Sequence, residues 1–522
     1  MHTSLAASPA ALPAALPAAL PAALPAASSA SWSRASSAAP HAAIATLAAL
    51  LVASTPLTAQ RAPVSASPAG AKVLAALEAR AGHYAGVAQQ IWGFAEVGYQ
   101  EVQSSALLQQ ELKTAGFALD VGVAGAPTAF TATFGSGKPV IAIVGEFDAL
   151  PGLSQDATPA KKPISEGGAG HGCGHHLFGT ASTASAIAVK EWMVANKIPG
   201  TLRFYGTPAE EGGSGKVFMV RAGLFKDVDA VVSWHPGDRN LADANSTLAN
   251  ISAKFRFRGV SAHAAMAPDK GRSALDGVES MNYMVNMMRE HVPSDTRIHY
   301  VITNGGRAPN VVPDFAEVFF YARQSDMRVL DQIWERMLSA AKGAAMGTGT
   351  TVEHETIGAV YNILPNEVLA RVQQRNLERV GGVKYTAEDR AFAEQLRTTL
   401  EAPVPPIDDA ARVMPFVGGQ VDAASTDMGD VSWAVPTVSM SAATWVPGTA
   451  AHSWQAVAAG GTPIGAKGMM VAAKTMSLTA MDLFTDPALI TKARAEFDQR
   501  RGPDFVYKTR LDREKPALDY RK

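Results

Sequence analysis

The densest cluster of groups that could bind a metal ion lies in residues 171–176, whose sequence is HGCGHH. Cys173 is the only cysteine of the chain, so it cannot form a disulfide within the chain. Alternate side chains of an extended loop point the same way, which lets Cys173 and His175 face one point. Because a thiolate and an imidazole are favoured ligands of zinc and similar divalent metals, this segment predicts a metal site. His171 is then a reserve ligand and His176 forms a supporting hydrogen bond; the alternative is a glycine-rich turn with incidental histidines.

Two adjacent glutamates, Glu210 and Glu211, form the second cluster that could do chemistry. Neighbouring carboxylates compete for one site unless a cation separates their roles, so one can bind a metal while the other carries a proton. The sequence GGSG at 212–215 favours a loop that approaches an ion closely. The alternative is a solvated acidic turn.

Polar residues follow four short apolar runs that are bounded by glycine or proline. Runs of this kind predict strands covered on both faces, and ligands of open α/β sheets bind outside the carboxyl ends of such strands. We therefore expect these polar side chains to meet at one edge of a sheet. The runs and the polar residues after them are 140–144 with Glu146 and Asp148, 202–205 with Glu210 and Glu211, 230–234 with His235, and 437–440 with His452.

The elements around these residues indicate the fold class. A helical pattern at 180–196 lies between two of the predicted strands, which is typical of an α/β sheet covered by helices. Residues 248–363 differ, because Phe255 and Phe257 alternate with charged residues as in a strand with one wet face. The sequence predicts an α/β catalytic domain with a mixed, mostly parallel sheet and an inserted, smaller α+β domain.

These patterns divide the chain into five segments. They are a low-complexity leader at 1–69, the catalytic domain at 70–247 and 364–486, the inserted domain at 248–363, and a charged, partly disordered tail at 487–522.

The leader contains an apolar run at 42–53 and small residues at 58–59. This arrangement resembles the apolar region and cleavage site of a secretory signal, and it predicts a periplasmic or secreted protein. The alternative is a disordered leader on a cytoplasmic enzyme.

Composition excludes several other classes of function. The chain has 522 residues, of which 47% are hydrophobic and 18% charged, so we expect a globular protein of two or more domains. The net charge is −1, and the basic residues form no stripe of the kind that binds nucleic acid. Beyond the leader, no segment predicts a membrane-spanning helix.

Eight stretches between Val87 and Phe484 together resemble the aminoacylase and glutamate-carboxypeptidase family of co-catalytic metallohydrolases. The sequence departs from many relatives at Glu146, where a ligand histidine is common, and at His176, where an aspartate usually follows Cys-Gly-His. The stretches are GEFDALP (145–151), GHGCGHH (170–176), AEEGGSGK (209–216), WHP (234–236), SAHA (261–264), PNVVP (309–313), STDMGDVSW (425–433) and GTAAHSW (448–454).

The resemblance implies a hydrolase of N-acyl amino acids, for which aromatic acyl-glutamates such as p-aminobenzoyl-glutamate are the first candidate substrates. It also implies two divalent metal ions per chain, manganese or zinc. It implies Glu210 as the general base. The inserted domain would act as a lid that forms a homodimer, with His263 polarising the scissile carbonyl in the partner's site, and a second subunit type is a further implied partner. The implied metal ligands are Cys173, His175, Glu211, His235 and His452, and the implied substrate-binding residues are Asn310, Arg323 and Gly448.

Simpler interpretations of the same residues are also open. From the residues alone, Arg323 is a strand-surface charge and Asn310 a turn residue. Cys173 could instead be the nucleophile of a thiol hydrolase. A catalytically silent metal- or ligand-binding protein is the alternative from another class.

Overall fold

The computed structural model describes residues 67–521. All but the last three residues of the predicted leader, including its candidate signal peptide, lie outside this range. None of the helices between residues 67 and 521 combines the length and the apolar character that a bilayer-spanning helix requires.

The elements follow the chain in three groups. Before the insertion they are α1 (Pro68–Ala79), α2 (Ala81–Phe94), α3 (Val102–Thr114), β1 (Ala118–Val121), β2 (Phe130–Ser136), β3 (Val140–Glu146), α4 (His175–Asn196), β4 (Gly200–Thr207), α5 (Glu210–Gly213), α6 (Gly215–Arg221), β5 (Ala230–Val232), β6 (His235–Gly237) and β7 (Leu241–Ser246). In the insertion they are β8 (Ala249–Arg258), α7 (Ala274–Met288), β9 (Arg297–Asn304), β10 (Phe315–Gln324), α8 (Met327–Thr348) and β11 (Thr351–Val360). After it they are α9 (Glu367–Val380), α10 (Ala387–Arg397), β12 (Val417–Val421), α11 (Met428–Ala434), β13 (Thr437–Val438), β14 (Met440–Ala443), α12 (Trp454–Gly460), α13 (Pro463–Thr485) and α14 (Pro487–Arg501). Short 3-10 helices span Val123–Gly125, Pro268–Lys270, Arg289–His291 and Ile407–Ala411.

The main sheet has the order β1-β2-β4-β3-β5-β13, in which β4, β3, β5 and β13 run parallel and β1 and β2 are antiparallel. Every residue of the central strand β3 is buried. Ile141 and Ile143 enter one hydrophobic core, and Val140 and Ala142 enter another on the opposite face. Burial on both faces explains why this strand is uniformly apolar in sequence. The predicted α/β class with a mixed, mostly parallel sheet is confirmed.

Two predicted strands are each divided between two sheets. The run at 230–234 forms β5 and then, from His235, β6, and the run at 437–440 forms β13 and then β14. Strands β6 and β14 join a second sheet of order β12-β7-β14-β6. The sequence did not indicate β7 or β12, because LADANS and VGGQV contain few apolar residues.

The inserted elements form a separate antiparallel sheet of order β11-β8-β10-β9, and the helices α7 and α8 cover one of its faces. Alternate residues of β10 are buried, as the period of a one-sided strand requires. These elements begin at Ala249 and end at Val360, inside the predicted insertion at 248–363. We call this unit the lid.

The prediction of a partly disordered tail is wrong for the described residues of 487–522. Ala493 and Phe497 of α14 are buried in the catalytic domain and Leu511 is buried in the core of the lid. The charged residues that suggested disorder form specific contacts instead, such as the pair between Arg510 and Asp331.

Candidate metal centre and active site

The carboxyl ends of the parallel strands surround one cavity of about 850 Å³. Cys173, Glu210, Glu211, His235 and His452 all line it, although they come from four separate parts of the chain. The predicted meeting of these residues at one edge of the sheet is therefore what the structure shows.

Five candidate ligands form two triplets that share one atom, and Glu146, His175 and Glu210 form a third possible group that lacks the thiol. The ligand atoms of Cys173, His175 and His235 lie within 4.8 Å of one another, and those of Cys173, Glu211 and His452 do the same. The thiol sulfur belongs to both triplets. A set of sulfur, imidazole nitrogen and carboxylate oxygen atoms around two adjacent positions would suit a pair of divalent ions, for both of which Cys173 would be a candidate ligand.

Buried polar atoms in this cluster support a cation site. His175 Nε2 and Glu211 Oε1 have no hydrogen-bond partner among the described residues. Yet His175 Nε2 lies 3.0 Å from Glu146 Oε2, and Glu211 Oε1 lies 3.1 Å from His452 Nε2. Leaving such groups buried without a partner costs about 1–3 kcal/mol each. A shared cation would remove that cost, so these residues fit the divalent ions that the sequence predicts.

Asp148 orients two of the candidate ligands. His175 Nδ1 donates to Asp148 Oδ1 at 2.9 Å, which leaves Nε2 of the imidazole to face the cluster. Asp148 Oδ2 accepts from the backbone N–H of Glu211 at 2.9 Å. Burial opposes charge on His175, but the negative groups Cys173, Glu146 and Asp148 raise its pKa well above the usual value. The sequence predicted that Asp148 lies at this edge of the sheet, but it gave Asp148 no specific role.

His235 is held in the tautomer that a ligand needs. Its Nδ1 donates to the carbonyl of Pro236 at 2.8 Å, and its Nε2 lies 3.5 Å from the sulfur of Cys173. Burial and the neighbouring His175 lower the pKa of His235, so the ring is neutral near pH 7.

His452 sits at the mouth of the cavity, where about half of its side chain is exposed. Its backbone is in the left-handed region, with φ 58°, and its N–H donates to the carbonyl of Gly172 at 2.8 Å. This bond ties the loop of His452 to the segment that carries Cys173 and His175.

Two glycines allow the start of α4 to approach β3 and β6. Gly174 precedes α4 with φ 75°, and a Cβ there would lie 2.7 Å from Pro236. A Cβ on Gly179 would lie 2.8 Å from the carbonyl oxygen of Glu146. Larger residues at either position would therefore push His175 away from the cluster.

Glu210 and Glu211 lie on an irregular turn rather than on a regular helix. Glu211 (φ −69°, ψ 62°) and Gly212 (φ 92°, ψ −5°) depart from helical geometry, and Ala209 and Ser214 at the two ends are left-handed. Burial and the negative charges of Glu146 and Glu211 raise the pKa of Glu210 well above its usual value. Burial also opposes charge on Glu211, but the nearby rings of His452 and His175 lower its pKa. The two carboxyls are thus driven apart, one toward holding a proton and one toward staying charged.

A buried lysine beside these carboxyls was not predicted from the sequence. Lys216 Nζ lies 2.7 Å from Glu146 Oε1 and 2.7 Å from Asp427 Oδ1, and all three side chains are at most 1% exposed. The backbone N–H of Lys216 also donates to Asp427. This network accounts for Glu146, where many relatives carry a histidine. Both new members stand in the motifs AEEGGSGK and STDMGDVSW, which was the available signal.

His171 is not a reserve ligand. Its Nε2 donates to the carbonyl of Ile91 on α2 at 3.0 Å, away from both triplets. His176 does form a hydrogen bond, as predicted, but its partner is the carbonyl of Gly460 at the end of α12. Burial lowers the pKa of both rings, so they act as neutral packing groups behind the site.

The predicted substrate-binding residues do not lie together. Arg323 lines the cavity from the face of the lid sheet that α7 and α8 leave uncovered. Asn310 lies instead beside His263, where its carbonyl accepts from the N–H of Ala264, and both Asn310 and His263 are exposed outside the cavity lining. Gly448 is also absent from that lining; with φ 93° it bends the loop that leads to His452.

Comparisons with known proteins find relatives over most of the chain. The family model described as Peptidase family M20/M25/M40 matches residues 142–457. The B subunit of the p-aminobenzoyl-glutamate hydrolase of Escherichia coli (strain K12) is 42% identical over 455 residues, which cover 81% of this chain and 94% of that protein. The Xaa-Arg dipeptidase of Mus musculus is 28% identical over 427 residues, covering 79% and 88%. The crystal structure of an aminobenzoyl-glutamate utilization protein from Klebsiella pneumoniae shares the fold, with a TM-score of 0.55, 18% identity, and coverage of 79% of this chain and 98% of that chain.

Proposed function

The chain belongs to peptidase family M20/M25/M40 and is a hydrolase of amide bonds, and we propose that it cleaves p-aminobenzoyl-glutamate to p-aminobenzoate and glutamate. The observation that carries this proposal is the cavity itself, where two ligand triplets that share Cys173 lie with Glu210 and Arg323. The relative that is 42% identical over nearly its whole length is named for this reaction, which supports the choice of substrate.

We propose manganese or zinc as the bound metal. His175 and His235 would complete one triplet with Cys173, and Glu211 and His452 would complete the other. Thiolate and imidazole ligands suit zinc, whereas carboxylate ligands also suit manganese. When bound, a pair of such ions supplies Lewis acidity that activates a water molecule and polarises the scissile carbonyl.

In the proposed mechanism Glu210 moves the proton. Its carboxylate accepts a proton from the attacking water as the water oxygen bonds to the amide carbon. The raised pKa of Glu210 favours the protonated form that results. Glu210 then donates this proton to the leaving nitrogen as the carbon–nitrogen bond breaks, which yields one acid and one amine.

We propose that Arg323 binds the carboxylate of the substrate. Its Nε is buried and has no hydrogen-bond partner among residues 67–521, and its guanidinium lies 5.7 Å from the ring centroid of Tyr321. A planar guanidinium offers two parallel donors to a carboxylate, which suits an N-acyl amino acid.

We further propose that the lid forms a homodimer. His263 and Asn310 are exposed and lie outside the cavity of their own chain, which leaves them free to reach a substrate in the cavity of a second copy. Strand β9 is a free edge of the lid sheet, and Tyr283, Met287 and Val301 on α7 and β9 are 56–68% exposed. An apolar surface beside an open sheet edge is typical of a protein interface.

A second subunit type is a further proposed partner. The Escherichia coli relative is named as the B subunit of its hydrolase, and the A subunit of the same enzyme is 25% identical to this chain over 345 residues. An enzyme named for two related subunits supports a partner of the same family for this chain.

Two rival functions fit the site less well. Burial and the carboxylates Glu211 and Glu210 raise the pKa of Cys173, which disfavours a free thiolate nucleophile in a thiol hydrolase. A silent metal-binding protein has no need of a general base, and the two triplets that share Cys173 supply five ligands without Glu210. Glu210 can also join Glu146 and His175 in a third group, so the assay of hydrolysis decides between the two functions. Other N-acyl amino acids or dipeptides remain alternative substrates, since a 28% identical relative is named a dipeptidase.

We also propose that the chain is exported, on the basis of the apolar run and small residues of its leader. Cell fractionation followed by N-terminal sequencing tests this. Export predicts a mature protein that begins after about residue 59 in the periplasm or medium. An intact leader on cytoplasmic protein would contradict it.

A substrate screen tests the proposed function. Purified protein would be assayed with p-aminobenzoyl-glutamate, other N-acyl amino acids and Xaa-Arg dipeptides, each with and without added manganese or zinc. The proposal predicts metal-dependent release of p-aminobenzoate with the highest kcat/KM of the set. A clear preference for dipeptides would move the function to the dipeptidase alternative.

A further inference from the structure

The last twenty described residues run as an extended segment from α14 to the active site. We call residues 502–521 the C-terminal strap. It lies beyond the range 142–457 that the family model covers. Its first half is fixed mainly to the lid: Arg510 pairs with Asp331 of α8, and Asp512 accepts from Thr356 of β11. Its second half is fixed to the catalytic domain, where Arg221 donates to the carbonyl of Arg513.

The strap ends on the backbone of Glu211. Tyr520 Oη donates to the carbonyl oxygen of Glu211 at 3.0 Å, and Arg521 Nη2 donates to the same oxygen at 2.7 Å. The Tyr520 ring also meets the ring of Tyr99 edge-on, with the centroids 5.8 Å apart. Tyr99 in turn donates to the carbonyl of Gly213 at 2.8 Å. Two consecutive strap residues and one tyrosine therefore hold both ends of the turn Glu211–Gly213 by its carbonyls.

This turn needs external support, because its backbone is strained. Ala209 and Ser214 both adopt φ 57°, which is unfavourable for residues with a Cβ, and Glu211 and Gly212 depart from helical geometry. Such conformations persist only where surrounding contacts fix them. Glu210 and Glu211 must diverge from adjacent positions, so a small rotation of the turn would move both carboxylates.

We propose that Tyr520 and Arg521 are positioning residues, which act through the Glu211 carbonyl to fix the directions of the Glu210 and Glu211 side chains. This inference rests on the proposed roles of those two glutamates. It predicts that the end of the strap controls the rate of catalysis and the retention of metal rather than the stability of the fold, since Arg510, Asp512 and Arg513 anchor the strap independently.

Three variants and two measurements test this. Tyr520→Phe removes one hydrogen bond and keeps the ring, and a chain that ends at Leu518 removes both donors. The control is Tyr507→Phe, which also deletes a tyrosine hydroxyl bond of the strap, here to the carboxyl group of Asp430 at 2.7 Å, far from the turn of Glu211. The measurements are kcat and KM on the best amide substrate, and the rate at which zinc-loaded protein releases zinc to a chromogenic chelator.

For Tyr520→Phe we expect kcat to fall by about two- to tenfold with KM nearly unchanged, as the loss of one neutral hydrogen bond implies. The shortened chain should lose about ten- to a hundredfold, because it also lacks a charged donor. Both should release zinc faster, and Tyr507→Phe should match the wild type in both measurements.

Wild-type kcat and zinc release in Tyr520→Phe and in the shortened chain would overturn the proposal. So would equal losses in Tyr507→Phe, which would show that the strap only stabilises the fold. If the shortened chain fails to fold, Tyr520→Phe alone decides. Zinc release needs no substrate, so it separates a failure of this inference from a failure of the proposed substrate.

Discussion

Two adjacent carboxyl groups have different surroundings, which suits them to the different roles that we propose for them. Glu210 faces Glu146 and Glu211 in a buried setting, which raises its pKa, whereas His452 and His175 keep Glu211 charged. A group that gains and loses a proton readily suits a general base, and a group that stays ionised suits a metal ligand. Adjacency in the chain therefore does not imply the same function.

Glu210→Gln tests the role of the base. The amide cannot accept a proton from water, so we expect kcat to fall by about 10²–10⁴-fold while the metal content stays unchanged. Elemental analysis and steady-state kinetics on the same preparation measure both. Comparable activity in this variant would remove Glu210 from the mechanism.

Arg323→Ala tests how the substrate's carboxylate is recognised. Loss of a charge-assisted pair should lower kcat/KM about ten- to a hundredfold for the free acid and far less for the same substrate with its carboxylate blocked as an amide. Arg258→Ala is the matched control, because this exposed arginine of the lid sheet pairs with Glu353 outside the cavity. Equal losses on both substrates would show that Arg323 only supports the fold.

Lys216 contributes to the stability of the fold as well as to the geometry of the site. A lysine that is fully buried between Glu146 and Asp427 leaves two uncompensated charges when it is removed. Lys216→Met should therefore lower the free energy of unfolding by about 3–5 kcal/mol. Lys138→Met, at an exposed pair with Asp229, should cost less than about 1 kcal/mol. Chemical denaturation of both variants measures the difference, and equal costs would contradict this account of the network.

At the scale of elements, strand ends explain which site residues the sequence could predict. Cys173 and His175 stand in one dense motif, and Glu211 and His235 each follow a run of buried apolar residues. Lys216 could not be predicted in the same way, because its partner Asp427 is 211 residues away and burial of a lysine leaves no local pattern. The contact of Tyr520 with Glu211 spans 309 residues, and its charged surroundings in sequence indicated a loose tail.

Local sequence patterns also predicted only some of the strands. The apolar runs within β3 and β4 were evident in the sequence, whereas β7 and β12 were not. Strand β7 buries only the small side chains of Ala242 and Ala244, and β12 is mostly exposed, so neither produces a strong apolar pattern. The sequence predicted that His235 follows the end of one strand, whereas in the structure it is the first residue of β6, with two residues between it and the end of β5. His235 still lies at the edge of the main sheet where the other candidate ligands meet.

The lid predicts complementation between inactive chains. If His263 acts in the partner's site, mixing His263→Ala with Glu210→Gln chains creates dimers that hold one intact composite site. After full exchange, about a quarter of the wild-type activity should return, since half of the dimers are mixed and each has one good site of two. Activity is measured after exchange has been verified by mass spectrometry. No recovery would mean that each chain works alone.

At the scale of the whole molecule, three units meet at the cavity. The parallel sheet supplies the candidate ligands, the lid supplies Arg323, and the C-terminal strap reaches the turn of Glu210 and Glu211. The parallel sheet and the lid each have a core of their own, whereas the strap buries Leu511 in the core of the lid. Changes at the end of the strap can therefore alter the geometry of the site while both cores stay intact.

The central claim is that catalysis needs two metal ions held by a shared thiolate. The most direct measurement titrates chelator-stripped protein with manganese or zinc while bound ions and amide hydrolysis are followed together. The structure predicts no activity without metal and full activity at close to two ions per chain, with Cys173→Ser weakening at least one of them. Full activity in stripped protein, or saturation at one ion, would contradict it.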